Sequence, residues 1–226
     1  MTTIIDINNF LNIDTKTLTD IKIDKSLTQE MICMFLNTKN FPILYKLDCS
    51  NTNIINIPNS LTNLTILECR SCDSLTKIPL LLNLQKINCS WCLKLEDIPV
   101  LPNLIILNCS YCVCIKYIPL LPNLLTLNCR NCTWIIRIPI LPKLVNLNCI
   151  GCRILTYIPT LPNLVTLTCS KCDGITTIHD LPNLVNLYCS NCINLKRLPI
   201  LPKLCKIRFN GCILIENTDT IKNKNT

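Results

Sequence analysis

The chain has 226 residues, of which 49% are hydrophobic, 16% charged and 5% aromatic; pervasive disorder is excluded and any core must be aliphatic. Three glycines against 14 prolines and 19 cysteines exclude collagen-like and Gly/Ser-linker chains, and the prolines argue against long helices. The net charge of +8 admits nucleic acid or anionic lipid as partners, yet the 22 Lys and Arg are spread along the chain rather than massed.

Met1 to Asn12 carries Asp6 and no basic run ahead of its few apolar residues, so no secretory signal is expected. No apolar run approaches the roughly 18 residues of a membrane span. The cysteines therefore read first as reduced thiols of an intracellular protein. Residues 1–43 are expected to cap whatever follows. Up to Asp24 the pattern fits a strand or a second short helix equally well. Ser26 followed by Gln29 matches a capping box, and Leu27, Met31, Ile32, Phe35 and Leu36 form one apolar face, predicting a short helix near 27–37 that Pro42 ends.

From residue 44 the chain repeats with a period of 20. Cysteines recur at Cys49, Cys69, Cys89, Cys109, Cys129, Cys149, Cys169 and Cys189, with Phe209 in the ninth place. Leu44 to Leu204 and Leu47 to Ile207 keep the same step, and Cys72 to Cys212 form a second cysteine column. One unit reads L-x-x-L-x-C-x-x-C-x-x-[IL]-x-x-I-P-x-L-P-N. The alternation Leu127-x-Cys129 marks a short strand with one buried face. The tail Pro139-Ile140-Leu141-Pro142 lacks two backbone donors and has fixed φ values, so it is expected to run extended. Helical repeats are excluded. A 20-residue unit cannot enclose a core alone, whereas stacked units about 4.8 Å apart bury a continuous ladder of Leu, Ile and Cys.

These residues resemble the leucine-rich repeats, whose signature L-x-x-L-x-L-x-x-[NC]-x-L is matched by Leu124, Leu127, Cys129 and Cys132. The short I-P-x-L-P tail is similar to the compact repeats of bacterial effectors, and C-x-x-[IL] to the cysteine-containing subclass. The first unit departs, with Thr52-x-Ile54-x-x-Ile57-Pro58 following the N-x-L register, as an edge repeat would. The Asn, Ile, Lys and Leu bias resembles leucine-rich proteins of mimivirus-like giant DNA viruses, which implies the host cytoplasm or the virion. The resemblance implies a repeat solenoid of about nine units over residues 44–216. Each unit would have a short parallel strand and an extended or 3-10 convex side. A helical cap would precede the stack and a C-terminal tail at 217–226 would follow it, with Ile221 to Thr226 expected to fray.

Several motifs imitate chemistry. Cys-x-x-Cys pairs sixteen residues apart, such as Cys69/Cys72 and Cys89/Cys92, have zinc-site spacing. They also fall on the inward columns, where thiols act as small hydrophobes. Pro119-Leu120-Leu121-Pro122 and its equivalents recur too regularly to be docking ligands and read as scaffold. Asn63, Asn88, Asn108 and Asn131 begin glycosylation sequons that matter only on secretion. His179, the single histidine, stands where most units have proline, and no recurring nucleophile or base accompanies it. An enzyme is not expected, nor is a cofactor.

The resemblance places function on the concave face. Its outward strand column runs Asp48, Glu68, Asn88, Asn108, Asn128, Asn148, Thr168, Tyr188 and Arg208, and the next columns add Arg70, Trp91, Tyr111, Arg130, Asn131 and Lys171. Trp, Tyr and Arg are the types that anchor interfaces, so Trp91, Tyr111 and Arg130 lead the candidates. A second outer column carries Lys77, Asp97, Tyr117, Arg137, Tyr157, Thr177 and Arg197, with basic and aromatic groups interleaved. The sequence supports a noncatalytic scaffold for a protein partner. The alternative is a module that binds zinc through the Cys-x-x-Cys pairs or nucleic acid through that second column.

Overall fold

The structure, a computed structural model, describes residues 1–215; Glu216 and the expected tail at 217–226 lie outside the described residues. Each 20-residue unit makes one turn of a coil and contributes one three-residue strand. The strands are β3 (Lys46–Asp48), β4 (Ile66–Glu68), β5 (Lys86–Asn88), β6 (Ile106–Asn108), β7 (Thr126–Asn128), β8 (Asn146–Asn148), β10 (Thr166–Thr168), β12 (Asn186–Tyr188) and β13 (Lys206–Arg208). All pair in parallel at the sequence period, Leu47 against Leu67 and Leu127 against Leu147, so equivalent side chains stack in rows. In each of these strands up to β12 one buried residue lies between two that face outward, as a period of two requires, and in β13 the central Ile207 is partly buried.

From the turn that begins at Leu44 to the one that begins at Leu184, seven residues of each point inward. In the turn that begins at Leu124 these are Leu124, Leu127, Cys129, Cys132, Ile135, Ile138 and Leu141, all at most 1% exposed. No single turn encloses this core. Neighbouring turns supply its roof and floor, and full burial of each such aliphatic side chain is worth about 1.5–3 kcal/mol.

The stack begins earlier than the period suggests. β1 (Thr3–Ile5) and β2 (Asp20–Ile23) belong to the same sheet, which has eleven strands in the order β1, β2, β3 onward. Ile21 pairs with Leu47 and Ile5 with Ile23, so isoleucines continue the inward rows. Of the two readings open for the first 24 residues, the strand is present. The unit containing Thr52 is therefore not the edge of the sheet. Its Thr52 is buried, with Oγ1 donating to the Cys49 carbonyl at 2.7 Å.

Helix α1 (Gln29–Thr38) sits in the longer connection between β2 and β3 and buries Ile32, Phe35 and Leu36. Phe35 and Phe41 meet edge to face at 5.3 Å. The capping box at Ser26 is corrected: the N-cap is Thr28, whose hydroxyl accepts from the Met31 N–H at 3.4 Å. Ser26 instead closes a turn, its N–H donating to Asp24 Oδ1 at 2.8 Å, which leaves Thr28 as the first residue with a free acceptor beside the helix start.

Ten residues after each strand the chain runs along another side of the coil. Of the two conformations expected there, the extended one is seen, as isolated bridges Lys77 to Asp97 and Thr177 to Arg197 and as a short pair, β9 (Tyr157–Ile158) with β11 (Thr177–Ile178). That pair forms where His179 replaces proline. Its N–H donates to the Ile158 carbonyl at 3.0 Å, a bond proline lacks the donor to make.

Candidate interaction face and the thiol interior

The two cysteine columns do different work. Sγ of Cys72 donates to the carbonyl of Cys49 at 3.0 Å, and Cys92 to Cys69, Cys112 to Cys89, Cys132 to Cys109, Cys152 to Cys129, Cys172 to Cys149, Cys192 to Cys169 and Cys212 to Cys189 repeat the bond at 2.9–3.1 Å. The second column is thus a ladder of S–H donors that ties each turn to the one before. A hydrogen bond with that neighbouring thiol, and then burial, push the first-column thiols well above their usual value, from Cys49 through Cys189. A thiolate in the first column would sit among aliphatic groups without water.

Fifteen of the 19 cysteines are buried, Cys33, Cys114 and Cys212 are half-buried, and Cys205 is exposed. Among the described residues no group of three or more His, Cys, Asp and Glu side chains is placed to hold a metal ion. The Cys-x-x-Cys spacing therefore produces two stacked rows rather than a tetrahedral cluster.

The outward face of the long sheet carries the candidate contact residues. Just beyond each strand the backbone enters the left-handed region at one fixed place: Asn51, Ser71, Trp91, Tyr111, Asn131, Gly151, Lys171, Asn191 and Gly211 all have φ between 54° and 76°. The N–H of each from Asn51 to Asn191 donates across to the next turn, as from Trp91 to the Ser110 carbonyl at 2.8 Å and from Tyr111 to the Arg130 carbonyl at 2.7 Å. The strand asparagines hold the approach to this corner. Oδ1 of Asn88, Asn108, Asn128 and Asn148 accepts the N–H two residues on, at 3.2–3.3 Å.

Trp91 and Tyr111 occupy adjacent corners, and their rings stack at 4.0 Å with an 8° interplanar angle. The Arg130 guanidinium lies 5.9 Å from the centre of the Tyr111 ring. Trp91 remains 43% exposed and Tyr111 is half-buried, so the cluster is a partly open aromatic platform with a cation at one end. Asn131 stands one turn beyond Tyr111, half-buried against Gly151. Tyr188 and Arg208 make a second ring–cation contact of 5.9 Å on β12 and β13. Arg70 and Lys171 are exposed and lie outside both clusters. The eight candidates thus separate into one triad with an asparagine neighbour, one pair and two isolated cations.

At the other end of the sheet the acidic column is largely neutralised. Lys46 pairs with Asp20 at 3.0 Å and Lys86 with Glu68 at 2.8 Å. The hydrogen bond to Asp20 raises the Lys46 ammonium above its usual value, with burial opposing. Asp48 Oδ1 accepts from the Ser50 N–H at 3.0 Å. A further ladder escaped the sequence reading. The asparagine that ends the unit motif uses its amide to reach back one turn, as Asn83 does to the Thr62 carbonyl at 2.8 Å and Asn163 to the Pro142 carbonyl at 2.7 Å. Its recurrence at the 20-residue step was the available signal.

Inward leucine and cysteine rows, one short parallel strand per turn and an extended return together define a solenoid of the leucine-rich-repeat kind. No protein-family model matches the chain, and no curated protein matches it. Among solved structures it is similar to a leucine-rich repeat protein from Bacteroides ovatus, at 14% identity over 87% of this chain and 77% of that one, with a TM-score of 0.38.

Proposed function

We propose that the chain is a noncatalytic interaction scaffold that holds a protein partner against the outward face of the long sheet, centred on Trp91, Tyr111 and Arg130. The observation that carries this reading is the exposed stack itself. Two large rings occupy the corner where the other turns place Asn, Ser, Lys or Gly, and they stack on each other on the outward face rather than packing in the core. A preformed aromatic pair with a cation loses little conformational freedom on binding and has the composition of an interface hot spot. Arg70, Asn131, Lys171, Tyr188 and Arg208 extend the surface on either side.

Pull-down from native cells with the wild-type chain and with Trp91→Ala and Arg130→Ala tests the reading. Both variants should keep the wild-type melting profile and lose the same partner, whereas Lys116→Ala, outside this face, should retain it. Recovery of an identical protein set by all four chains would refute the assignment of the face.

A further inference from the structure

We propose that the side of the coil formed by the proline-containing tails carries a second, separate site, built for a small planar anion of about nucleotide size. The chain there forms an open cleft of about 590 Å3 lined by Tyr117, Arg137, Pro139, Ile140, Tyr157 and His179 among others. That volume falls in the ordinary range for small-molecule sites, about 300–1,000 Å3. None of the protein-binding candidates contributes to it.

The lining has the parts such a ligand needs. Pro139 and Ile140 provide an apolar floor, and Ile140 is 62% exposed with nothing covering it. Flat rings bound the cavity along the coil axis. Tyr117 stands at one end, 58% exposed, and the Tyr157 and His179 rings, 5.4 Å apart and tilted at 57°, stand at the other. Arg137 lies one turn from each tyrosine and makes no ion pair among the described residues, and no acidic residue lines the space. A flat ring resting on the floor meets aromatic edges and faces, while its anionic substituent meets the guanidinium and the imidazole.

The same column explains why the ligand is small. Its neighbours beyond the cavity are Asp97 on one side and Thr177 on the other, so the uninterrupted run of cationic and aromatic residues in this column spans three turns, with Lys77 and Arg197 set apart from it. A bound nucleic-acid strand needs cations repeated along its phosphates, and the Asp97 carboxylate repels the next phosphate at that end. His179 completes the boundary. It replaces the proline of other turns, adds a ring beside Tyr157, and through its N–H anchors β11 to β9, which fixes the wall at that end.

Titration calorimetry on the full chain, with adenosine 5′-monophosphate and flavin mononucleotide as probes, tests the proposal. At least one of them should bind saturably with one site per chain. Arg137→Ala should weaken it by about tenfold or more, the loss of one charge-assisted hydrogen bond, and Tyr117→Ala should weaken it several-fold. Both residues are exposed, and circular dichroism should show both variants folded. Trp91→Ala should bind as wild type, which separates this site from the protein-binding face. Absence of saturable binding for both probes overturns the proposal. So does inorganic phosphate or adenosine binding as tightly as the nucleotide. Tighter binding of a single-stranded oligonucleotide with steep salt dependence would replace it by a nucleic-acid track.

Discussion

At the scale of single residues, the left-handed corner is where the choice of side chain bears most directly on local stability. A side chain there costs about 1–2 kcal/mol relative to the ordinary backbone region, and only glycine avoids it. Lys171 holds φ at 60° and packs in no cluster, so Lys171→Gly should raise unfolding free energy by about 0.5–1 kcal/mol. Gly151→Ala should lower it by about 1–3 kcal/mol, since its new methyl group also runs into the Asn131 side chain. Urea unfolding reads both, and equal, opposite-to-expected changes would show that the corner is not strained. Residue types alone half-disclosed this column: two of its nine members are Gly and three are Asn, the types that tolerate positive φ. Trp91 and Tyr111 hid it, because large aromatic residues are not among the types that signal positive φ.

Among elements, the regular turns were legible because every inward position recurs at one step, and a strand slipped by one residue would expose its entire row. The first two strands were not, for a geometric reason. Thr3 pairs with Ile21 and Asp20 with Lys46, offsets of 18 and 26 residues, and the longer one makes room for α1. A search at a fixed period cannot register them, although Ile21-x-Ile23 repeats the alternation of Leu47-x-Cys49. If β2 is a full member of the stack, Ile21→Asp buries an unpaired carboxylate just as Leu127→Asp does, and both should cost several kcal/mol. A cost for Ile21→Asp of under about 0.5 kcal/mol, typical of a surface site, would remove β1 and β2 from the cooperative unit.

For the molecule as a whole, the arrangement is nearly one-dimensional: each turn contacts the turns beside it, and stability is the sum of those interfaces. The candidate contact residues were named from the sequence because the outward columns follow directly from the inward ones. Their grouping was not, since the stacking of Trp91 on Tyr111 and the division from Tyr188 and Arg208 depend on backbone angles and side-chain directions that spacing leaves open. The interior is the more testable half. Sulfur in this coil acts as a small hydrophobe in one column and as a hydrogen-bond donor in the next, and every outward surface exists because those rows are closed to solvent.

Thiol labelling of the native chain, followed residue by residue by mass spectrometry, measures that closure most directly. Cys205 should react at once, Cys33, Cys114 and Cys212 more slowly, and the 15 buried cysteines only after denaturant unfolds the stack, when all 19 should titrate. Rapid native labelling along the columns Cys69 to Cys189 or Cys72 to Cys192 would contradict a continuous thiol and aliphatic interior.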